Sequence, residues 1–218
     1  MNQPELVPML RGVSHAYAFW VALVAGGVLV ALAPTGEARI AAVIYGLALC
    51  ALFAASGLYH RWRWSPRWRP LLQRIDHSTI FVFIAASHVP VALLVLGGTL
   101  QVVVLVTVAI GALAGIVLTV VWIGAPRVLT AACYLALGWV AVITLPELVR
   151  RLDAAPLVLI AGGGVLYSLG AIVYATQRPD PWPRTFGFHE VFHALVIAAA
   201  TAHFVAMAGW VIPGAQAA

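Results

Sequence analysis

The sequence predicts an all-α integral membrane protein, a bundle of seven transmembrane helices. Of its 218 residues, 63% are hydrophobic, and only 12 are basic and 7 acidic. The mean hydropathy is +1.01. A soluble domain needs a polar surface that so few charges cannot supply, which excludes that class. The apolar runs are continuous rather than alternating, so they indicate helices and not the strands of an outer-membrane barrel.

Charge and cysteine content exclude further classes. All 12 basic residues are arginines and the formal net charge is +5, an excess too small and too local for a nucleic-acid-binding or disordered chain. Cys50 and Cys133 both lie inside apolar runs, so the sequence implies no disulfide framework. Residues 1–12 lack the basic segment, the short apolar segment and the cleavage site of a signal peptide. We therefore expect the first apolar run to be retained as the first span.

Long uncharged runs locate the spans, because charges are costly in hydrocarbon and a helix needs roughly 20 apolar residues to cross it. In order, these runs cover residues 12–36, 40–60, 77–126, 128–146, 154–177 and 191–218. The third run is about twice too long for one helix. It splits at the turn-like sequence Gly97-Gly98-Thr99-Leu100-Gln101.

Each span is flanked by charged or turn-forming residues. From the first span to the seventh, these are Arg11 and Glu37, Arg39 and Arg61, Asp76 and Gly97, Gln101 and Arg127, Arg127 and Glu147, Asp153 and Arg178, and finally Glu190. The predicted spans are therefore residues 13–34, 40–60, 75–96, 100–123, 128–146, 155–176 and 187–211, in a single membrane domain of residues 1–218.

The arginines predict a cytoplasmic N-terminus and an external C-terminus. With that orientation, nine arginines lie on the cytoplasmic side, and three lie outside: Arg39, Arg150 and Arg151. Such an asymmetry is the positive-inside pattern of membrane proteins.

The Arg61–Arg74 loop supplies most of that asymmetry. Its sequence RWRWSPRWRP interleaves Trp62, Trp64 and Trp68 with arginine. Tryptophan favours the membrane interface, and clustered arginines attract anionic head groups. The loop therefore predicts an interfacial segment whose partners are membrane lipids with anionic head groups. The simpler interpretation is that it only sets the topology.

Ionisable residues within the spans indicate a functional site, because in hydrocarbon they need a partner or a metal. The spans contain two carboxylates, Asp76 and Glu190, and near them stand His60, His189 and His193. The end of an even-numbered span and the start of an odd-numbered span lie on the same membrane face. Asp76 and the three histidines are therefore predicted to meet at one face, whichever way the chain points.

The spacing of these residues predicts a zinc site. His189 and His193 are i and i+4, about 40° apart around a helix and about 6 Å along it, so both can reach one ion. His60 supplies a third nitrogen, which leaves a fourth position open for water, as in catalytic zinc sites. Asp76 is then the expected general base or orienting group for that water, and Ser56 lies one turn before His60. The alternative is that the histidines only hydrogen-bond between helices.

Other polar residues leave alternatives open. The segment His189–His193 reads HEVFH and matches the H-E-x-x-H pattern of zinc proteases, with Glu190 as base. By helical phase, Glu190 could equally face a neighbouring helix. His15 lies at the same face and either supports the metal site or is an interfacial residue. His88 and His203 lie too deep for the same ion, which favours interhelical hydrogen bonds.

Six motifs are spread in order over the second to seventh spans. They are SGLYH (56–60), RIDHSTIF (74–81), GAPR (124–127), YLALGW (134–139), GGVLYSLGAIVY (163–174) and PWPRTFGFHEVFH (181–193). Together they resemble the hemolysin III family, the bacterial branch of the progestin and adipoQ receptor superfamily. The resemblance implies a multi-pass protein of the bacterial inner membrane, N-terminus inside, with a zinc ion (Zn2+) near the cytoplasmic face.

The resemblance also implies roles for individual residues. It carries the metal ligands of the family onto His60, His189 and His193, the aspartate beside the zinc-associated water onto Asp76, and a serine one turn from the first ligand onto Ser56. The superfamily is similar to alkaline ceramidases, which implies metal-dependent hydrolysis of a lipid amide or ester. The family is also linked to cytolysis and to membrane-lipid homeostasis.

The leading hypothesis is a zinc-dependent hydrolase of lipid acyl bonds, in which Asp76 accepts the proton of water and Ser56 helps to hold the oxyanion. The first alternative is a membrane sensor or lipid-binding protein whose structural zinc ties spans two, three and seven together. The others are a cytolysin-like membrane protein and an intramembrane protease with Glu190 as base.

Overall fold

The computed structural model describes residues 8–216, and the regular structure within them is helical apart from one isolated bridge between Trp182 and Phe186. The helices are α1 (Val13–Leu32), α2 (Gly36–Arg61), α3 (Arg69–Leu94), α4 (Gly98–Val121), α5 (Arg127–Gly138), α6 (Ala141–Arg151), α7 (Ala154–Thr176) and α8 (Phe188–Ala206). A π-helical turn, Met207–Val211, and a 3-10 turn, Pro213–Gln216, follow α8.

Seven apolar segments among residues 8–216 are long enough to cross a membrane, which confirms the predicted number of spans. Five of them are the single helices α1 to α4 and α7. The fifth span, Arg127–Arg151, combines α5 and α6, and the seventh, Phe188–Ala215, combines α8 with the turns after it. The orientation of the termini stays a prediction.

The fifth span is divided by a turn. Helix α5 ends at Gly138 and α6 begins at Ala141. Gly138 has a low helix propensity. Pro146, inside α6, has no N–H to donate to the carbonyl four residues before it, which weakens the helix on its N-terminal side. The Trp139 indole in the turn donates to Ser168 Oγ at 3.2 Å, which ties the turn to α7.

Glycines let two helix pairs approach closely. Where α1 crosses α2, a Cβ on Gly26 would lie 3.5 Å from the Cα of Gly46. Gly115 in α4 faces the ring of Phe81 in α3, and a Cβ at residue 115 would overlap that ring. In lipid, close van der Waals packing of this kind holds helices together.

Several chain segments converge at the end of the bundle where α2 finishes and α3 and α8 begin. Residues 8–12 are attached there by a hydrogen bond of 3.0 Å from the Met9 N–H to the Arg184 carbonyl. Gly12 adopts a left-handed φ of 74° and lies so close to α2 that a Cβ on it would be 2.7 Å from His60 Cβ. The N-terminal segment therefore packs directly on the end of α2.

We expect Gly115→Ala to destabilise the protein. Phe81 is 1% exposed, so its ring cannot move aside into solvent or lipid. Overpacking of this kind costs about 1–3 kcal/mol. The measurement is the midpoint of thermal unfolding in detergent. The control is Gly27→Ala, because nothing lies within 4 Å of a Cβ built at that position. Equal midpoints for the two variants would contradict this packing.

Candidate metal centre

Three histidines from two helices meet at this end of the bundle. His60 lies in the last turn of α2, and His189 and His193 lie on successive turns at the start of α8. Their ligand atoms are all within 4.8 Å of one another, and the Nε2 atoms of His60 and His189 are 3.1 Å apart. His193 is 1% exposed and His189 is 9% exposed. This set, called the histidine group below, could hold a metal ion.

The donor chemistry of the histidine group fits a cation. The Nε2 atoms of His60 and His189 can share at most one proton, so at least one lone pair points into the space between the rings. A lone pair that faces another nitrogen at this distance is costly unless a proton or a cation lies between them. A metal ion bound among the three rings would compensate lone pairs that the protein itself leaves facing one another.

Asp76 lies beside the histidine group, in α3. Its carboxylate Oδ2 is 3.4 Å from Nε2 of His60, and the residue is 5% exposed. The carboxylate is therefore shielded from the surroundings of the bundle and can accept a hydrogen bond or a proton from a molecule bound beside His60.

Ser56 and His15 extend the site toward α1. Nδ1 of His15 is 2.8 Å from Ser56 Oγ, which is 3.5 Å from Nε2 of His193. The rings of His15 and His193 stack with centroids 3.7 Å apart. Gly57 permits this approach, since a Cβ there would be 3.1 Å from the Cα of Ala16. His15 is only 2% exposed, so the structure supports its role beside the site and not the interfacial interpretation.

Glu190 has a structural role at the start of α8. Its Oε2 accepts a hydrogen bond of 2.8 Å from the Gly187 N–H, and its Oε1 lies 2.9 Å from Nε of Arg11. Both carboxylate oxygens are thus engaged in helix capping and ion pairing. The protease interpretation requires Glu190 to lie within the histidine group, and the structure does not place it there.

The deep histidines lie outside the histidine group. His203 Nε2 donates to the Ile160 carbonyl of α7 at 3.0 Å, an interhelical bond of the predicted kind. His88 Nδ1 donates to the Ile84 carbonyl at 2.8 Å, a bond within its own helix α3 rather than the interhelical bond that the sequence predicts. These two histidines therefore satisfy backbone carbonyls.

A cavity of about 340 Å³ extends from the histidine group into the bundle. Ser56, His60 and Asp76 line one end, and Leu148 and Leu157 line the opposite end. Most of the wall between the ends consists of aliphatic and aromatic side chains of α3 and of α5 to α8. Sequence reasoning missed the cavity, because apolar residues that face a cavity have the same pattern as those that face a neighbouring helix.

The chain is similar to known proteins over most of its length. A family model described as Haemolysin-III related matches residues 6–204. The Hemolysin-3 homolog of Bacillus subtilis (strain 168) is 33% identical over 161 residues, which are 74% of this chain and 72% of the relative. Hemolysin-3 of Bacillus cereus is 27% identical over 182 residues, 84% and 80% of the two chains. The Monocyte to macrophage differentiation factor of Homo sapiens is 26% identical over 201 residues, 89% and 80% of the two chains.

We expect the double substitution His189→Ala and His193→Ala to abolish metal binding. It removes two of the three nitrogen ligands and leaves an isolated imidazole, which binds metal weakly. The purified wild type should carry about one metal ion per chain, and the double variant only a background amount. The measurement is metal content by inductively coupled plasma mass spectrometry.

His203→Ala is the matched control, because it removes an imidazole of the same helix that lies outside the histidine group. This variant should keep its metal. Equal metal content in the double variant and the wild type would contradict the metal site. An equal loss of metal in His203→Ala would indicate a general effect of removing an imidazole from α8.

Proposed function

The chain belongs to the haemolysin-III-related family, and on that premise we propose that it is a zinc-dependent hydrolase of lipid acyl bonds, amide or ester, that acts in membrane-lipid homeostasis. One observation carries the proposal: the histidine group, Asp76 and Ser56 line the polar end of a cavity whose other walls are mostly apolar. An acyl chain held by the apolar walls would present its carbonyl group to the polar end.

Zinc suits the histidine group by donor type and spacing. Imidazole nitrogens bind zinc at about 2.0–2.1 Å, so two of them on a tetrahedral ion are roughly 3.3 Å apart. The Nε2 atoms of His60 and His189 are 3.1 Å apart, and all three ligand atoms lie within 4.8 Å of one another. When bound, zinc supplies a Lewis acid that polarises a carbonyl and makes water more acidic.

Asp76 accepts the proton of the attacking water. Its Oδ2 is 3.4 Å from Nε2 of His60, so a water molecule beside the histidine group is within hydrogen-bond reach of the carboxylate. The water oxygen forms a bond to the carbonyl carbon, and the bond from that carbon to the leaving oxygen or nitrogen breaks. The proton held by Asp76 is then returned to the leaving group.

Ser56 stabilises the negative charge that develops on the carbonyl oxygen. When Nδ1 of His15 donates its hydrogen to Ser56 Oγ, the hydroxyl hydrogen of Ser56 stays available to that oxygen. The stack of His15 on His193 keeps the His15 ring in this orientation. His15 is therefore a positioning residue for Ser56.

A membrane sensor or lipid-binding protein with structural zinc is the second candidate. The distance of 3.4 Å between Asp76 and His60 favours it, because a carboxylate this close could become a fourth ligand and close the site. Zinc would then tie α2, α3 and α8 together. A water molecule at the fourth ligand position would favour the hydrolase, and the Asp76 carboxylate at that position would favour the sensor. A cytolysin-like action is suggested by the names of two bacterial relatives.

We further propose a bacterial inner-membrane location, with the N-terminus and the histidine group on the cytoplasmic side. The asymmetry of the arginines supports this orientation. The structure shortens the predicted loop to residues 62–68, because residues 69–74 form the first turns of α3. In this loop, Trp62 is 59% and Trp68 51% exposed, and the Arg67 guanidinium lies 5.8 Å from the centre of the Trp68 ring. These features support an interfacial loop that attracts the anionic head groups of membrane lipids.

We expect Asp76→Asn to keep its zinc and to lose hydrolysis. An amide cannot accept the proton, and removal of a general base lowers the rate by about 10²–10⁴-fold. The measurement is the release of fatty acid from a panel of amide-linked and ester-linked lipids, together with zinc content.

The control is Asp153→Asn, because the Asp153 side chain makes no capping hydrogen bond at the start of α7. Unchanged release by Asp76→Asn would rule out Asp76 as the base. An equal loss of release in both variants would indicate a general effect of charge. A wild type that carries zinc and releases no fatty acid would favour the sensor.

Reporter fusions test the orientation. Alkaline phosphatase fused after the last residue is expected to be active, because it would be exported with an external C-terminus, whereas a fluorescent protein fused there should be dark. Fusions within the loop that joins α2 and α3 should give the opposite pair of signals. A cytoplasmic signal from the C-terminus would contradict the proposed orientation.

A further inference from the structure

A second pocket, of about 220 Å³, lies beside the main cavity. The start of α3, the end of α4, the turn at residues 122–126, the start of α5 and the end of α7 form it. The polar residues that line it are Gln73, His77, Thr119, Arg127, Thr130 and Tyr174. It is called the Arg127 pocket below.

The Arg127 pocket shares a wall with the main cavity, since His77 and Tyr174 line both. His77 directly follows Asp76 in α3, so the pocket adjoins the polar end of the cavity. The Arg127 guanidinium lies 5.9 Å from the centre of the Phe188 ring, at the start of the helix that carries two members of the histidine group. A molecule that occupied both spaces would therefore extend past the histidine group.

The Arg127 pocket offers a cation and free hydrogen-bond donors. Within residues 8–216, Arg127 has no carboxylate partner and the Gln73 amide makes no hydrogen bond. The hydroxyls of Thr119 and Thr130 already donate to backbone carbonyls in their own region of the chain. An anion in the pocket would meet one guanidinium and one free amide.

A guanidinium recognises phosphate with two parallel hydrogen bonds, which gives both strength and orientation. We propose that the Arg127 pocket binds the phosphate of a lipid head group while the acyl chain of the same lipid occupies the main cavity. The inference rests on the proposed function, because it names the class of acyl lipid that the hydrolase accepts. The arginines of residues 61–74 have a different role, since an interfacial segment attracts an anionic membrane without selecting one molecule.

Equilibrium binding tests this assignment. The full chain carrying Asp76→Asn, which is expected to slow turnover, is titrated in neutral detergent by calorimetry. The probes are lysophosphatidic acid, the monoacylglycerol with the same acyl chain, and inorganic phosphate. We expect the phosphorylated lipid to bind about tenfold more tightly than the neutral lipid. Adding Arg127→Gln should remove the preference, and adding Gln73→Ala should reduce it by about threefold.

The control is Arg178→Gln, an exposed arginine at the same end that lines neither space. It should keep the preference. The assignment would be overturned by equal affinity for the two lipids or by a preference that persists in Arg127→Gln. It would also be overturned if Arg178→Gln lost the preference as fully as Arg127→Gln. If inorganic phosphate binds as tightly as the phosphorylated lipid, the ligand is the free anion, and the proposal of a lipid ligand is wrong.

This outcome is separate from hydrolysis, because every arm measures binding and none measures the release of fatty acid. A wild type that releases no fatty acid would end the proposed function and leave the measured preference unchanged. A protein without the preference could still release fatty acid from neutral lipids, which would end only the assignment of the Arg127 pocket.

Discussion

The burial of ionisable side chains in an apolar bundle is the constraint on which the rest of this structure depends. Lipid offers no hydrogen bonds, so each imidazole and carboxylate needs a partner within the protein or a bound ion. His60, His189 and His193 meet this need jointly, with Asp76 and Ser56 in contact with them. Because these residues come from distant parts of the chain, satisfying them fixes how the ends of α2, α3 and α8 are arranged.

Further contacts position the histidine group, and the main cavity lies next to it. Glu190 caps α8 and pairs with Arg11, which orients the helix that carries two of the histidines. His15 brings α1 against the same group. Behind it, the divided fifth span contributes both of its halves to the wall of the main cavity. A reactive polar end that opens into a long apolar space suits a molecule with one polar group and one acyl chain.

Much of this arrangement could be predicted, because hydrocarbon imposes strong rules on sequence. Uncharged runs indicated the spans, and the parity of spans assigned Asp76 and His60 to one face. Span parity determines at which membrane face a residue lies, but not which way its side chain points around the helix axis. It could therefore decide neither whether Glu190 faces a metal nor whether His15 faces inward. Apolar residues do not reveal whether they face lipid, protein or empty space, so the main cavity and the turn at Trp139 emerge only from the three-dimensional packing.

Whether His60, His189 and His193 hold a single zinc ion can be measured by X-ray absorption at the zinc edge of the purified protein. We expect a shell with the multiple-scattering pattern of three imidazoles, with nitrogen at about 2.0 Å, and one oxygen neighbour. Sulfur neighbours at about 2.3 Å, or a spectrum with fewer than three imidazoles, would contradict it.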